Sequence, residues 1–231
     1  MTFGENILAF NRQLKYTGPL PAGIRIMNPF HDNKEVGCIT QKFYSRYYND
    51  QNKRKLILGI NPGRFGAGLT GISFTDTVRL KEKCGIVFES FRSVETSSVF
   101  FYEMIDAYGG VEAFYKEFYV SAVCPLGFTV TNSRGKQVNY NYYDSRHLQQ
   151  LVYPFITECI EKQLLFNIDT SVCYCLGTGK NEKFLRQLND EKRYFGTIIA
   201  LEHPRYIMQY KLNAKSLYIE KYLESLRKSI I

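Results

Sequence analysis

Residues 55–75 read KLILGINPGRFGAGLTGISFT. The run 55–60 is β-rich and apolar enough to fill a buried strand. It breaks into a stretch, 59–75, that holds five glycines and one proline, and a helical pattern follows at 75–82. Strand, tight turn and helix together make half of a βαβ unit. Glycines in such a turn let backbone N–H groups come close to a ligand, and the N-terminus of the next helix favours an anion or a partial negative charge. A phosphate cradle is the generic alternative. The G-x-x-x-x-G-K-S/T ending is absent, however, and the G-x-G-x-x-G spacing is not met at the first turn, so nucleotide hydrolysis is disfavoured.

Three further β-rich runs, 118–124, 171–176 and 197–202, end in proline, glycine or histidine and alternate with helical patterns. Helices are expected at 97–107 and at 145–164, the second with Leu148, Leu151, Val152, Phe155, Ile156, Cys159 and Ile160 on its apolar side and a kink at Pro154. Two helical patterns, 2–14 and 33–48, precede the first strand. A last one, 213–228, puts Ile219, Tyr222, Leu223, Leu226 and Ile230 on one face. The expected fold is a three-layer α/β/α sandwich around a central four-stranded parallel sheet. It is read as one domain over 1–231, with 1–50 as an N-terminal helical covering segment. Residues 129–144, TVTNSRGKQVNYNYYD, are polar and turn-rich. They read as a long connection, equally a surface hairpin or part of a binding rim.

The chain has 231 residues, 45% hydrophobic and 23% charged, with no internal repeat or biased tract, as expected of a soluble globular protein. Its net charge is +8, and residues 180–231 hold 11 Lys and Arg against 6 Asp and Glu. That surplus suits an anionic partner, although a solvated basic face explains it equally well. No apolar run approaches the roughly 18 residues of a membrane span, and no export signal opens the chain, so a cytoplasmic location is expected. Six scattered cysteines, with no C-x-x-C, read as buried thiols and not as a disulfide framework or zinc knuckle.

In open parallel sheets ligands bind beyond the carboxyl ends of the strands. Asn61 follows the first run, Pro125 and Leu126 the second, residues 177–180 the third, and His203, Pro204 and Arg205 the fourth. Within 59–75, Gly59, Asn61, Pro62, Gly63, Phe65, Gly66, Thr70, Gly71 and Phe74 match, without a gap, the first motif G-M-N-P-G-P-F-G-M-A-Q-T-G-V-P-F-G of the single-strand-selective monofunctional uracil-DNA glycosylases. The chain thus resembles a divergent branch of that family within the uracil-DNA glycosylase superfamily. A second block, H-N-x-C-P-L, is met in part by Ser121, Ala122, Val123, Cys124, Pro125 and Leu126. A third, H-P-S-P-R, is met in shortened form by His203, Pro204 and Arg205.

The resemblance implies a DNA repair enzyme that flips a deaminated base out of DNA and hydrolyses its N-glycosidic bond, leaving an abasic site. Uracil is the first expected base and xanthine the second. Such chemistry builds positive charge on the sugar and negative charge on the departing base. By resemblance Asn61 positions the attacking water, and His203 donates a hydrogen bond to the 2-carbonyl oxygen of the base. Phe74 stacks on the base, Gly63 leaves room for it and Ser121 lies against it. Arg205, Tyr206 and Met208 belong to a loop that enters the duplex. No metal or cofactor is implied. No lysine replaces a family residue in the three blocks, so monofunctional chemistry is expected. Ala122 departs from the family, which carries there the asparagine that reads the polar edge of uracil; backbone groups, Ser121, or an asparagine of the polar connection such as Asn132 or Asn139 would have to take over.

His31 and His147 have no motif around them and read as surface or helix-end residues. The expected partner is DNA bearing a deaminated base, and the expected state is a monomer. Two other classes remain open from sequence alone: a DNA-binding or lesion-sensing module that lost turnover, and a nucleoside hydrolase acting on free nucleosides.

Overall fold

The computed structural model describes residues 1–228. Ile230, expected on the apolar face of the last helix, lies outside them. The strands, in chain order, are β1 (Ile24–Met27), β2 (Arg54–Gly59), β3 (Phe118–Ala122), β4 (Gly127–Thr131), β5 (Gln137–Tyr140), β6 (Ile168–Leu176) and β7 (Thr197–Leu201).

Four of them form a parallel sheet in the order β3-β2-β6-β7, and they are the four runs expected. Gly59 pairs with Ala122 at the carboxyl end of β2 and β3, and Leu58 pairs with Ser121. Helices cover both faces. Leu56, Ile57 and Leu58 are accordingly buried, as is every residue of β3, the pattern of a parallel strand with no solvent side.

The sequence reading missed a second sheet. β1, β4 and β5 form a three-stranded antiparallel sheet in the order β1-β4-β5. The polar stretch at 129–144 is therefore mostly hairpin, turned at Gly135 in a left-handed conformation (φ 72°). Asn132 stabilises that turn by accepting the backbone N–H groups of Arg134 and Lys136, each at 3.0 Å, so its amide belongs to the turn.

The N-terminal helix Phe3–Gln13 starts with a capping box between Thr2 and Glu5 and packs on the helix Lys34–Tyr47, which Asn33 caps. Gly4 makes this approach possible, since a Cβ there would stand 2.5 Å from the Tyr44 carbonyl oxygen. Arg54, the first residue of β2, is fully buried and fastens these helices to the sheet. Its guanidinium lies 4.7 Å from the ring centres of both Phe3 and Tyr48, and it meets both carboxylate oxygens of Asp50, at 2.7 and 2.9 Å. The paired cation holds the Asp50 carboxyl below its usual range.

The remaining elements follow expectation with local shifts. The helix expected at 75–82 runs Thr77–Cys84, because Asp76 caps it by accepting the Arg79 N–H at 2.8 Å. The helix Arg146–Leu164 continues through Pro154. Five cysteines are buried free thiols, whereas Cys38 is exposed. His31 and His147 are both exposed, as expected.

Candidate active site

The chain order of β2, β3 and β7 delivers three blocks of residues to one end of the parallel sheet. Backbone pairing continues past the strands: Val123 N–H bonds the Gly59 carbonyl at 3.0 Å and Cys124 N–H bonds that of Ile60 at 3.1 Å. Asn61 is thereby fixed beside the end of β3. The loop that follows closes on Thr70, a buried hydroxyl within 2.7 Å of the Thr75 carbonyl and 3.3 Å of those of Gly66 and Ile72.

A pocket of about 140 Å³, many times what one water needs, opens there. Its wall includes Asn61, Gly63, Phe74, Ser121, Ala122 and His203, contributed by all three blocks. Arg205 stands at the same wall.

Asn61 is tied by both ends of its amide to the chain at and just past the end of β5. Its Oδ1 accepts the Tyr142 N–H at 3.1 Å, and its Nδ2 donates to the Tyr140 carbonyl at 3.3 Å. Orientation of the amide is thus set by backbone groups that cannot be swapped. The Nδ2 also reaches the Pro62 carbonyl, at a long 3.5 Å, so that weakly held N–H and one oxygen lone pair can turn to a small polar ligand.

Phe74 has a left-handed backbone (φ 52°), uncommon for a bulky residue and a mark of local strain. Its ring stacks on Phe101 with centroids 4.8 Å apart and stands 5.6 Å from the His203 ring. Gly59 makes room for it, because a Cβ at that position would lie 2.9 Å from two atoms of the Phe74 ring.

His203 follows β7 and caps the helix Pro204–Tyr210. Burial, with a smaller contribution from the neighbouring Arg205 guanidinium, pushes its pKa down to about 4, so the imidazole is neutral at neutral pH. Sequence placed residues 205–208 in a loop; they form the first turns of this helix instead, started by Pro204 at a position that needs no N–H. Arg205 and Tyr206 are exposed, while Met208 is half-buried and packs on the core. Tyr210, one turn on from Tyr206 with ring centroids 5.5 Å apart, is also exposed.

Several pocket residues escaped the sequence reading. Glu95 and Ser97 belong to no motif, Ser73 is an unmatched position inside the first, and Asn141 lay in the polar stretch with nothing to single it out. Of the two asparagines offered as substitutes at Ala122, Asn139 is in the pocket wall, whereas Asn132 serves the hairpin turn. Asn139 Oδ1 accepts the Arg64 N–H at 3.0 Å, which leaves its Nδ2 as the open donor. The Glu95 carboxyl sits beneath Gly63 and Gly66. Burial, with the nearby Asp76 carboxylate adding to it, raises its pKa against the opposing pull of a Ser97 hydrogen bond and Arg205.

The family model of the uracil DNA glycosylase superfamily matches residues 45–227. The chain belongs to that superfamily. The glycosylase is also similar to wild-type SMUG2 of Pedobacter heparinus, known from a crystal structure. The two share 56% identity over 99% of this chain and 98% of that one, with a TM-score of 0.97. No curated protein matches it. The glycosylase is a monofunctional DNA N-glycosylase, a hydrolase of DNA repair. Among the described residues no helix is long and apolar enough to cross a membrane.

Proposed function

We propose that the pocket receives one deaminated base flipped out of DNA, uracil first and xanthine second, and that hydrolysis of its N-glycosidic bond leaves an abasic site. The observation that carries this reading is the convergence of Asn61 and His203, from opposite ends of the chain order, on one pocket beside the Phe74 ring.

In this reading the weakly held N–H and the lone pair of Asn61 hold the attacking water. His203 donates its remaining ring N–H to the 2-carbonyl oxygen as the base gathers negative charge. A neutral imidazole suits that task, since it donates without needing to be protonated at working pH. Phe74 supplies an apolar face for the base, Gly63 lets it come close, and Ser121 lines the same pocket. The Asn139 amide takes over the edge reading that Ala122 cannot perform. Arg205 and Tyr206 face the DNA, with Met208 supporting them from the core side. The protein acts as a monomer on a single site and needs no cofactor.

Oligonucleotides carrying uracil, xanthine, hypoxanthine or a thymine mismatch, scored for alkali-labile abasic sites, test the proposal. Release of uracil and xanthine is expected. Failure to release any of the four bases overturns it.

A further inference from the structure

Glu95 is a carboxyl group inside the pocket of an enzyme whose three motif blocks have no use for it. It reaches the site because Gly63 and Gly66 carry no side chain. A Cβ at Gly63 would stand 2.5 Å from its Oε1, and one at Gly66 only 1.9 Å from its Oε2. The two glycines thus expose the carboxyl where a side chain would cover it. Among the described residues it forms no ion pair, and the hydroxyl of Ser97 is its side-chain hydrogen-bond partner. Asn139 stands at the same spot, its Nδ2 lying 3.4 Å from the Cβ position of Gly63. A carboxyl oxygen and an amide donor therefore border the same small patch of pocket wall.

Burial, with the Asp76 carboxylate beside it, raises the Glu95 pKa against the pull of Ser97 and Arg205, which favours the acid form, and a protonated carboxyl is a donor. Two donors side by side fit two adjacent acceptors. A 6-oxopurine presents such a pair, N7 and O6, along one edge, whereas uracil has only O4 beside a C–H. We propose that Glu95 is a catalytic residue for purine substrates, its carboxyl O–H donating to N7 while the Asn139 amide donates to O6. The inference rests on the base-flipping glycosylase reading above.

The chemistry balances. The N9–C1′ bond breaks with its electron pair going to the base, and the Glu95 proton passes to N7, so xanthine leaves as a neutral molecule. Water forms the new C1′–O bond, and the proton it sheds returns through solvent to the carboxylate. Protonation at N7 matters because a purine that leaves as an anion is poorer than one that leaves neutral. Uracil has no N7 and departs by way of the His203 hydrogen bond alone. This edge separates purines from uracil but not xanthine from guanine, which differ on the opposite edge.

The test uses the full chain and single-turnover release from oligonucleotides carrying uracil, xanthine or 7-deazaxanthine. Glu95→Gln keeps the shape and removes the transferable proton. It is expected to slow xanthine release about 10²-fold and uracil release less than about threefold. With the natural protein, 7-deazaxanthine is expected to be released about 10²-fold more slowly than xanthine, a comparison that needs no variant to fold. Equal loss on uracil and xanthine in Glu95→Gln, together with normal release of 7-deazaxanthine, overturns the inference. So does release of uracil without xanthine by the natural protein, which leaves the glycosylase reading standing. Release of neither base fails that reading instead.

Discussion

Nδ1 of His203 accepts the backbone N–H of Arg205 at 3.1 Å. An imidazole nitrogen that accepts carries no proton, so the neutral ring bears its hydrogen on Nε2. The helix Pro204–Tyr210 therefore selects the tautomer of the residue that caps it. Removing the ring should cost what a preorganised donor contributes, about 3 kcal/mol in the transition state or roughly 10²-fold in rate. His203→Ala is expected to lose that much in single-turnover uracil release while DNA affinity changes little. Unaltered turnover would refute the assignment.

The same histidine makes the fold sensitive to acid. Its folded pKa is about 4 against an ordinary 6.5, so between these pH values the unfolded chain binds a proton that the native one refuses. Stability contributed by this group is complete above pH 6.5 and is lost as the pH falls toward 4. Thermal unfolding at stepped pH is expected to show a shallower acid slope in His203→Gln than in the natural protein. Identical slopes would mean the ring is not enclosed.

Asn61→Ala removes both the remaining polar groups and the two bonds to the hairpin end. Base release is expected to drop about 10²-fold or more, and the midpoint of thermal unfolding to fall by a few degrees, roughly 1 kcal/mol per lost bond. Asn61→Asp keeps the acceptor for Tyr142 but sets a carboxylate against the Tyr140 carbonyl, so it should be no better. An active Asp variant would show that the amide N–H is dispensable.

Ala122 ends β3, buried in the pocket wall opposite Gly59 in register. An asparagine there would restore a paired donor and acceptor, which reject mismatched bases because buried groups would be left unpaired. Ala122→Asn is expected to raise the uracil-to-xanthine ratio of single-turnover rates about fivefold, the equivalent of about 1 kcal/mol. An unchanged ratio in a normally folded variant would mean that residue 122 does not touch the base.

Arg205 is exposed at the pocket mouth, on a helix and not a loop. Only a duplex has a vacated position to fill, so Arg205→Ala should slow release from paired substrates about tenfold and from single strands less than about threefold. Equal losses on the two would assign Arg205 to phosphate contact alone.

How much of this was readable depended on how local each signal is. The four parallel strands were legible because each is a short apolar run closed by a turn residue, Asn61 and Phe74 because their motif runs without a gap, and His203 because it closes the last strand directly before a proline. β1 was not: four residues, Ile24–Met27, find a partner about a hundred positions away in β4, and nothing near them announces it. Glu95 precedes a helix start, where a carboxylate ordinarily reads as a cap. Its place in the pocket exists only after Gly63 and Gly66 have been folded over it. The helix at 204–210 does carry a local signal, Pro204 directly after a capping histidine.

The tie between Asn61 and the hairpin end carries a thermodynamic consequence for the whole site. Tyr142 continues the chain inward, its hydroxyl bonding Asn181 at 2.9 Å, while the Asn181 amide lies 3.2 Å from the Leu176 carbonyl that ends β6. The hairpin thus works as a clasp snapped over the ends of β2 and β6. Whenever it opens, the amide is released from its bearing, so the closed fraction of the clasp sets a ceiling on the competent fraction of enzyme. Amide exchange at Tyr142 reads that opening directly. Residues 132–136, at the far tip of the hairpin, can therefore tune catalysis through the clasp's opening equilibrium while contacting neither base nor DNA.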